Sequence, residues 1–135
     1  MAKGYQKNRE HKDKVALLGK SLIRRCKKKC ELCDTVGASL AVVEVAPLPK
    51  EPHEDHAVMV CEACRRIMET ETMAPNAVRF LESVIWSEVP AVQVTAVRLC
   101  RILAAMGVDW ASELLDTVYL DPQVKAWLAE ESKRS

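Results

Sequence analysis

Two short stretches decide the fold of this 135-residue chain: Cys-Glu-Leu-Cys at residues 30–33 and Cys-Glu-Ala-Cys at residues 61–64. Each places two thiols on one tight turn, and 27 residues separate the two pairs. Four thiolates arranged as a tetrahedron are a preferred ligand set of zinc. We therefore predict one structural Zn²⁺ ion with four cysteine ligands. Those ligands are Cys30, Cys33, Cys61 and Cys64.

All four ligand positions of the predicted metal site are filled by protein side chains, which indicates what the ion can do. A catalytic zinc keeps one position open for water, so four protein ligands argue against catalysis. An iron–sulfur centre needs the same number of thiolates and stays an alternative. Cys26, Cys30 and Cys33 also match the C-x₃-C-x₂-C spacing of radical SAM enzymes. A chain this short cannot build their barrel, so we interpret Cys26 as a free thiol that completes an apolar helix stripe.

The residues between the cysteine pairs predict a β-hairpin. Residues 40–45 and 57–60 are rich in valine and read as strands, and Pro47, Pro49 and Pro52 make the connection irregular. The second pair should open a helix that runs to about residue 69, where the helix dipole stabilises thiolate charge. The order of turn, strand, loop, strand and helix is the plan of a treble-clef zinc fold.

Helices are predicted on both sides of this hairpin. Residues 1–10 read as a disordered basic tail, and apolar residues at helical spacing predict a basic helix from about residue 11 to residue 29. Pro75, Pro90, Asp109 and Pro122 lie where helices should begin in the second half. We therefore predict an α+β protein, with a treble-clef or zinc-ribbon module over 11–72 and a packed helical region over 73–135.

Composition indicates the compartment. The chain is 49% hydrophobic and 29% charged, no apolar run approaches the roughly 20 residues of a membrane span, and the polar N-terminus lacks a signal-peptide pattern. These features predict a cytoplasmic protein without a membrane partner. In that reducing compartment, six cysteines indicate metal ligands or free thiols rather than disulfides.

Charge is distributed unevenly. Residues 1–30 contain eleven Lys or Arg and two acidic residues, whereas residues 31–135 contain nine basic and seventeen acidic residues. A basic arm on an acidic body is typical of proteins that bind a polyanion. Scarce aromatic residues disfavour the stacking of single-stranded bases, so structured RNA is the favoured partner. The residues we assign to nucleic-acid binding are Lys3, Lys7, Arg9, Arg24, Arg25, Lys27, Lys28, Lys29, Arg65 and Arg66.

The cysteine region resembles the zinc-bearing form of the HNH nuclease motif. In that family the first strand carries a catalytic histidine three residues before a proline; here Pro47 follows Glu44. The resemblance also implies an Asn or His just after the last cysteine, where this chain has Arg65 and Arg66. Both catalytic positions differ, so the resemblance implies a degenerate nuclease at most.

More of the chain resembles the bacterial PhnA-domain proteins, which are also described as PhnA-like zinc ribbons. The similar segments are Met-Ala-Lys-Gly-Tyr-Gln-Lys-Asn-Arg at 1–9, the two cysteine pairs, and Ile-Trp-Ser-Glu-Val-Pro-Ala-Val-Gln-Val at 85–94. The family name implies a link to phosphonate metabolism, although no residue pattern here indicates phosphonate chemistry.

These observations favour a binding protein over an enzyme. We predict a zinc-stabilised accessory protein that binds structured RNA or associates with the ribosome; the alternative is a degenerate HNH-like nuclease or a small hydrolase with a phosphonate-related role. The acidic helical half could also bind a protein partner or a second copy of the chain. The sequence leaves open the roles of Cys26, Glu44, His53 and His56.

Overall fold

The centre of the first half is a two-stranded antiparallel hairpin. In a computed structural model of the chain, which describes the backbone of residues 2–134 and the side chains of residues 9–131, strand β1 is Leu40–Glu44 and strand β2 is Ala57–Cys61. Leu40 is paired with Cys61, and Glu44 with Ala57. A 3₁₀ turn at Glu54–His56 ends the proline-rich connection. The predicted hairpin is therefore confirmed.

The two faces of the hairpin pack against different helices. Helix α1, Ala2–Cys26, covers the face that carries Val42 and Met59, and Leu22 of this helix is fully buried there. Val43 and Val58, paired on the opposite face, belong to the main core shared with the helical half. Because an isolated two-stranded hairpin is marginally stable in water, this coverage on both faces is what allows it to form.

Helix α1 begins and ends earlier than predicted. It includes residues 2–10, for which we predicted a disordered tail, because this segment contains no proline and is rich in good helix formers. It ends at Cys26, before the predicted residue 29, because Lys27 and Lys28 have φ angles of 55° and 65°. Those angles lie in the left-handed region, which interrupts an α-helix.

The helical half is built around one buried helix. After β2 come α2, Glu62–Thr70, a 3₁₀ turn at Pro75–Val78 and the short helix α3, Leu81–Val84. They are followed by α4, Pro90–Ala105, α5, Asp109–Thr117, and α6, Pro122–Arg134. Ten of the sixteen residues of α4 are buried, so the other helices pack around it.

Residues 75–86 differ from the single helix that their sequence predicts. The backbone N–H groups of Ala77, Glu82 and Ser83 donate to carbonyls three residues earlier, which is the pattern of 3₁₀ turns. Only α3 is α-helical in this stretch. The predicted starts at Pro90, Asp109 and Pro122 are confirmed.

The fold class is confirmed as a mixture of helices and a small antiparallel hairpin beside four clustered cysteines. Within residues 2–134, no helix combines the length and the apolar character that crossing a membrane requires. The division into a tail, a metal module and a helical region stays a prediction.

Candidate metal centre

The four predicted ligands converge on one point. The sulfur atoms of Cys30, Cys33, Cys61 and Cys64 all lie within 4.8 Å of one another, and those of Cys33 and Cys61 are 3.7 Å apart. A tetrahedral ion with metal–sulfur bonds of about 2.3 Å has sulfurs separated by about 3.8 Å. The arrangement can therefore hold one metal ion.

Local structure explains how the first pair is held. Cys30 follows the left-handed turn after α1, and its backbone N–H donates to the carbonyl of Thr35, 3.0 Å away. The N–H of Asp34 donates to the Cys30 carbonyl at 2.9 Å, which closes the turn. The Cys33 sulfur lies 2.9 Å from the Thr35 hydroxyl. The turn at residues 30–33, which we call the knuckle, is thus fixed by its own backbone and by one neighbouring side chain.

The second pair uses the junction between β2 and α2. Cys61 is the last residue of the strand and also precedes the first residue of the helix. Cys64 lies in the first turn and is almost fully buried. The first turn of a helix has free N–H groups and the positive end of the dipole, both of which stabilise thiolate charge. The predicted position of this pair is confirmed.

The pKa values within the cluster show how closely the thiols interact. A hydrogen bond from the Cys64 thiol lowers the pKa of Cys30 to about 4, against the opposing effect of burial. The same hydrogen bond raises the pKa of Cys64, and burial adds to that effect. Burial is the main reason that the pKa of Cys61 is raised. Complete deprotonation of such a cluster requires a cation at its centre.

A buried ion pair between Arg25 and Glu31 stabilises the knuckle. The guanidinium of Arg25 donates two hydrogen bonds to the carboxylate of Glu31, at 2.9 and 2.7 Å, and the Glu31 side chain is only 5% exposed. The Arg25 guanidinium also donates to the carbonyls of Ala57, at 2.8 Å, and Glu54, at 3.1 Å. Glu31 accepts from the N–H of Met59 at 2.8 Å. Arg25 therefore fastens α1 and the knuckle to the hairpin.

The sequence pattern does not predict this network. It places Arg25 among the residues assigned to nucleic-acid binding and indicates no role for Glu31. The available signal was a carboxylate inside the cysteine knuckle, beside Leu32, where a buried charge would need a partner. The arginines that precede the knuckle offered that partner, but the sequence does not show which of Arg24 and Arg25 turns inward.

The other predicted cations divide by environment. Arg24, Lys27, Lys28 and Lys29 are exposed and form no ion pair within the described side chains. Arg65 and Arg66 both pair with Glu62 on α2, at 2.9 and 3.6 Å. Helices α1 and α2 pack against opposite faces of the hairpin, so the two groups are carried on opposite sides.

The remaining members of the predicted surface lie on the first part of α1. Arg9 is exposed. The side chains of Lys3 and Lys7 lie outside the described residues.

Glu44 has a partner that the sequence did not indicate. Its carboxylate lies 2.8 Å from Nε2 of His11 on α1. It also borders a cavity of about 300 Å³ between the hairpin, α2 and α4, together with Glu69, Glu71 and Arg98. Among the described residues, the four cysteines form the one group of three or more His, Cys, Asp or Glu side chains placed to hold a metal. Glu44 is therefore not part of a second such group.

Neither loop histidine belongs to the cysteine cluster. The Nδ1 atom of His53 accepts from the N–H of Asp55, 3.0 Å away, and so caps the 3₁₀ turn before β2. His56 packs its ring on Trp127 of α6, with centroids 4.6 Å apart. His56 therefore contributes to the contact between the hairpin and the helical half.

Two cysteines lie outside the cluster. Cys26 is half-buried at the end of α1, where it packs against the small apolar cluster around Leu22. Cys100 is fully buried in α4, and burial raises its pKa to about 11. A buried thiol of high pKa is unreactive.

In comparisons with known proteins, no protein-family model, no curated protein and no solved structure matched this chain.

Proposed function

We propose that the four cysteines hold one structural Zn²⁺ ion and that the protein is an accessory factor for structured RNA. The observation that carries the RNA part is the group of exposed cations beside the metal knuckle. This cation cluster consists of Arg24, Lys27, Lys28 and Lys29. None of its members forms an ion pair with a carboxylate among the described side chains.

Zinc is the metal that the donor set favours. Zn²⁺ readily adopts a tetrahedral four-sulfur site with no further ligand. The separation of 3.7 Å between the Cys33 and Cys61 sulfurs fits such a tetrahedron. With all four positions filled by thiolates, the ion would have a structural role and would leave no place for a reacting water.

The conformation of the cation cluster supports a role beyond solubility. Basic residues at a helix C-terminus interact favourably with the helix dipole, which accounts for Arg24. Lys27 and Lys28, however, lie beyond the helix in left-handed conformations, each of which costs about 1 kcal/mol or more for a residue with a side chain. Unpaired lysines held on a fixed turn suit contacts with a phosphate backbone.

Metal analysis and RNA titration test the two parts separately. Mass spectrometry under native conditions should find one zinc ion per chain. Binding of an RNA hairpin at two salt concentrations should weaken as salt rises, because phosphate contacts release counterions. An absence of binding at low salt would contradict the RNA proposal and leave the zinc proposal intact.

A triple variant locates the RNA surface. Lys27→Gln with Lys28→Gln and Lys29→Gln should reduce the dependence of log K on log salt by roughly two to three. The matched control changes three exposed cations elsewhere, Lys50→Gln, Arg101→Gln and Lys125→Gln. Both variants lose the same net charge, so equal losses of affinity would show that no particular surface is used.

One observation favours the alternative of a degenerate HNH-like nuclease or small hydrolase. Glu44 takes the position of that family's catalytic histidine, and it contacts His11 beside a cavity. Metal-dependent cleavage of nucleic acid that disappears in Glu44→Ala would establish this alternative. A phosphonate-related role would require turnover of a phosphonate, with the same loss in Glu44→Ala.

A further inference from the structure

A shallow groove lies between the end of α1 and the loop that follows the metal knuckle. It has a volume of about 410 Å³ and is lined by six residues. They are Ile23, Lys28, Val36, Gly37, Ala38 and Leu40. Five of these are apolar, and the sixth carries a positive charge. We call this surface the knuckle groove.

Both walls of the knuckle groove are structurally fixed. Lys29 and Val36 form an isolated antiparallel bridge, which joins the end of α1 to the loop. Ile23 and Leu40 pack against the buried cluster between α1 and the hairpin, so their side chains are held in place at the base of the groove. Val36, by contrast, is 68% exposed. The space between the exposed Val36 side chain and the apolar side chains of Ile23 and Leu40 could hold a flat apolar group.

The charge at the groove distinguishes it from the cavity between the hairpin and α4. Its lining contains Lys28 and no carboxylate. The cavity between the hairpin and α4 is instead bordered by Glu44, Glu69 and Glu71, which would repel a phosphate. Of these two sites, the knuckle groove is the one that combines an apolar lining with an unpaired lysine.

We propose that the knuckle groove binds one unpaired nucleotide of a structured RNA. The base would pack on Ile23, Val36 and Leu40, and its phosphate would be bound by Lys28. This inference rests on the proposed RNA-binding function and adds a subsite to it. Structured RNA offers such nucleotides at bulges, where a base is free to leave the stack. An apolar groove beside a cation recognises both parts of a nucleotide.

The chemistry of the lining sets the specificity. Every base has an apolar face, so packing against aliphatic side chains selects an unpaired base with little preference for its identity. No side-chain amide or carboxylate lines the groove to read base edges. We therefore expect recognition of the bulge itself, irrespective of which base it contains.

Two RNA hairpins provide the test: a fully paired stem, and the same stem with one unpaired 2-aminopurine nucleotide. The protein with its bound metal should bind the bulged hairpin about fivefold to tenfold more tightly. The emission of the 2-aminopurine should also change on binding. In Val36→Ser, we expect both the preference and the emission change to disappear, with unaltered affinity for the paired stem.

The matched control is Leu48→Ser, which shortens a similarly exposed side chain in the proline-rich loop. It should behave like the unmodified protein. Lys28→Ala should weaken binding of both hairpins and reduce the salt dependence.

The outcomes separate this inference from the RNA proposal itself. Salt-dependent binding of both hairpins with equal affinity would overturn the groove as a nucleotide site and leave the RNA proposal standing. A bulge preference that survives in Val36→Ser would also overturn it. Failure to bind either hairpin at low salt would overturn both.

Discussion

The hairpin with its cysteines and the helical half achieve burial in different ways. The helical half surrounds one helix, and ten of the sixteen residues of α4 are buried in a core to which most of the other helices contribute. The hairpin consists of two five-residue strands. Every residue of β2 is buried, but the covering side chains come from α1 on one face and from the helical half on the other.

This difference indicates which interactions each region requires. The helical half depends on side-chain packing that extends over several helices. The hairpin depends on contacts with the residues around it: the cysteine cluster, the Arg25–Glu31 pair, and the helix that covers each face. We therefore expect the loss of one of these contacts to destabilise the hairpin more than the helical half.

Removal of one of the four proposed metal ligands should have the largest effect. In Cys64→Ser the bound metal should be lost, with a loss of stability of roughly 5 kcal/mol or more, because structural zinc contributes about 10–16 kcal/mol to small domains. Hydrogen exchange should accelerate in β1 and β2 before α4. The control is Cys26→Ser, which should retain one metal ion. Simultaneous loss of protection in both regions would contradict the comparison.

The next largest effect should come from the Arg25–Glu31 pair. Arg25→Ala leaves an almost fully buried carboxylate without its cation, and breaking such a pair costs about 3–5 kcal/mol. Urea denaturation measures the change. Lys14→Ala removes an exposed partner of Glu51 from the same helix, and solvent screening should make its effect on stability much smaller than that of Arg25→Ala. Equal losses of stability in the two variants would show that the buried pair stabilises the chain no more than an exposed pair does.

A change inside the helical half should be smaller and should spare the metal site. The Gln93 amide donates to the carbonyls of Ile85 and Tyr119, at 2.9 and 3.1 Å, and accepts from the N–H of Asp121 at 3.1 Å. Gln93→Ala should cost about 2–3 kcal/mol, because buried groups lose their partners. Metal content should stay at one ion.

Thr95 supplies the control for this change. Its hydroxyl is buried two positions along α4 and donates only to the Ala91 carbonyl of the same helix. Thr95→Val should therefore change the free energy of unfolding by about 1 kcal/mol or less. A greater loss in Thr95→Val than in Gln93→Ala would contradict the assigned role of the amide.

The smallest effects should come from two glycines, with opposite signs. Gly107 has a φ of 91° after α4, so Gly107→Ala should destabilise the helical half by about 1 kcal/mol. Gly19 lies within α1, and an added Cβ would be 3.8 Å from Met59 and 3.9 Å from Val42. Gly19→Ala should therefore stabilise the chain by up to about 1 kcal/mol. Thermal unfolding of both variants would measure these shifts.

Much of the framework was predictable because it depends on local chemistry. The cysteine spacing predicted the four converging thiols, valine-rich runs predicted both strands, and Pro90 and Gly107 bracket α4 as expected. In each case a residue type restricts its own backbone or binds a partner through a recognisable spacing. Such features need no knowledge of distant contacts.

The contacts across the fold were not predictable in the same way. The pairing of Arg25 with Glu31, and of His11 with Glu44, depends on how α1 lies against the hairpin. Helix α1 carries many cations around most of its circumference, and the sequence alone does not show which of them turns inward. The 3₁₀ turns over residues 75–86 escaped prediction because proline and apolar spacing fit either helix type.

The burial of α4 also determines where this protein can change over evolutionary time. Substitutions at most of its positions would alter packing on several sides at once. Residues 34–39 are all exposed in the loop beyond the knuckle. Apart from Thr35, which contacts Cys33, and Gly37, whose φ is 84°, they can vary with little cost to packing. Among homologous sequences we expect identities to concentrate in α4 and at the cysteine pairs, and we expect the knuckle loop to diversify as partners change.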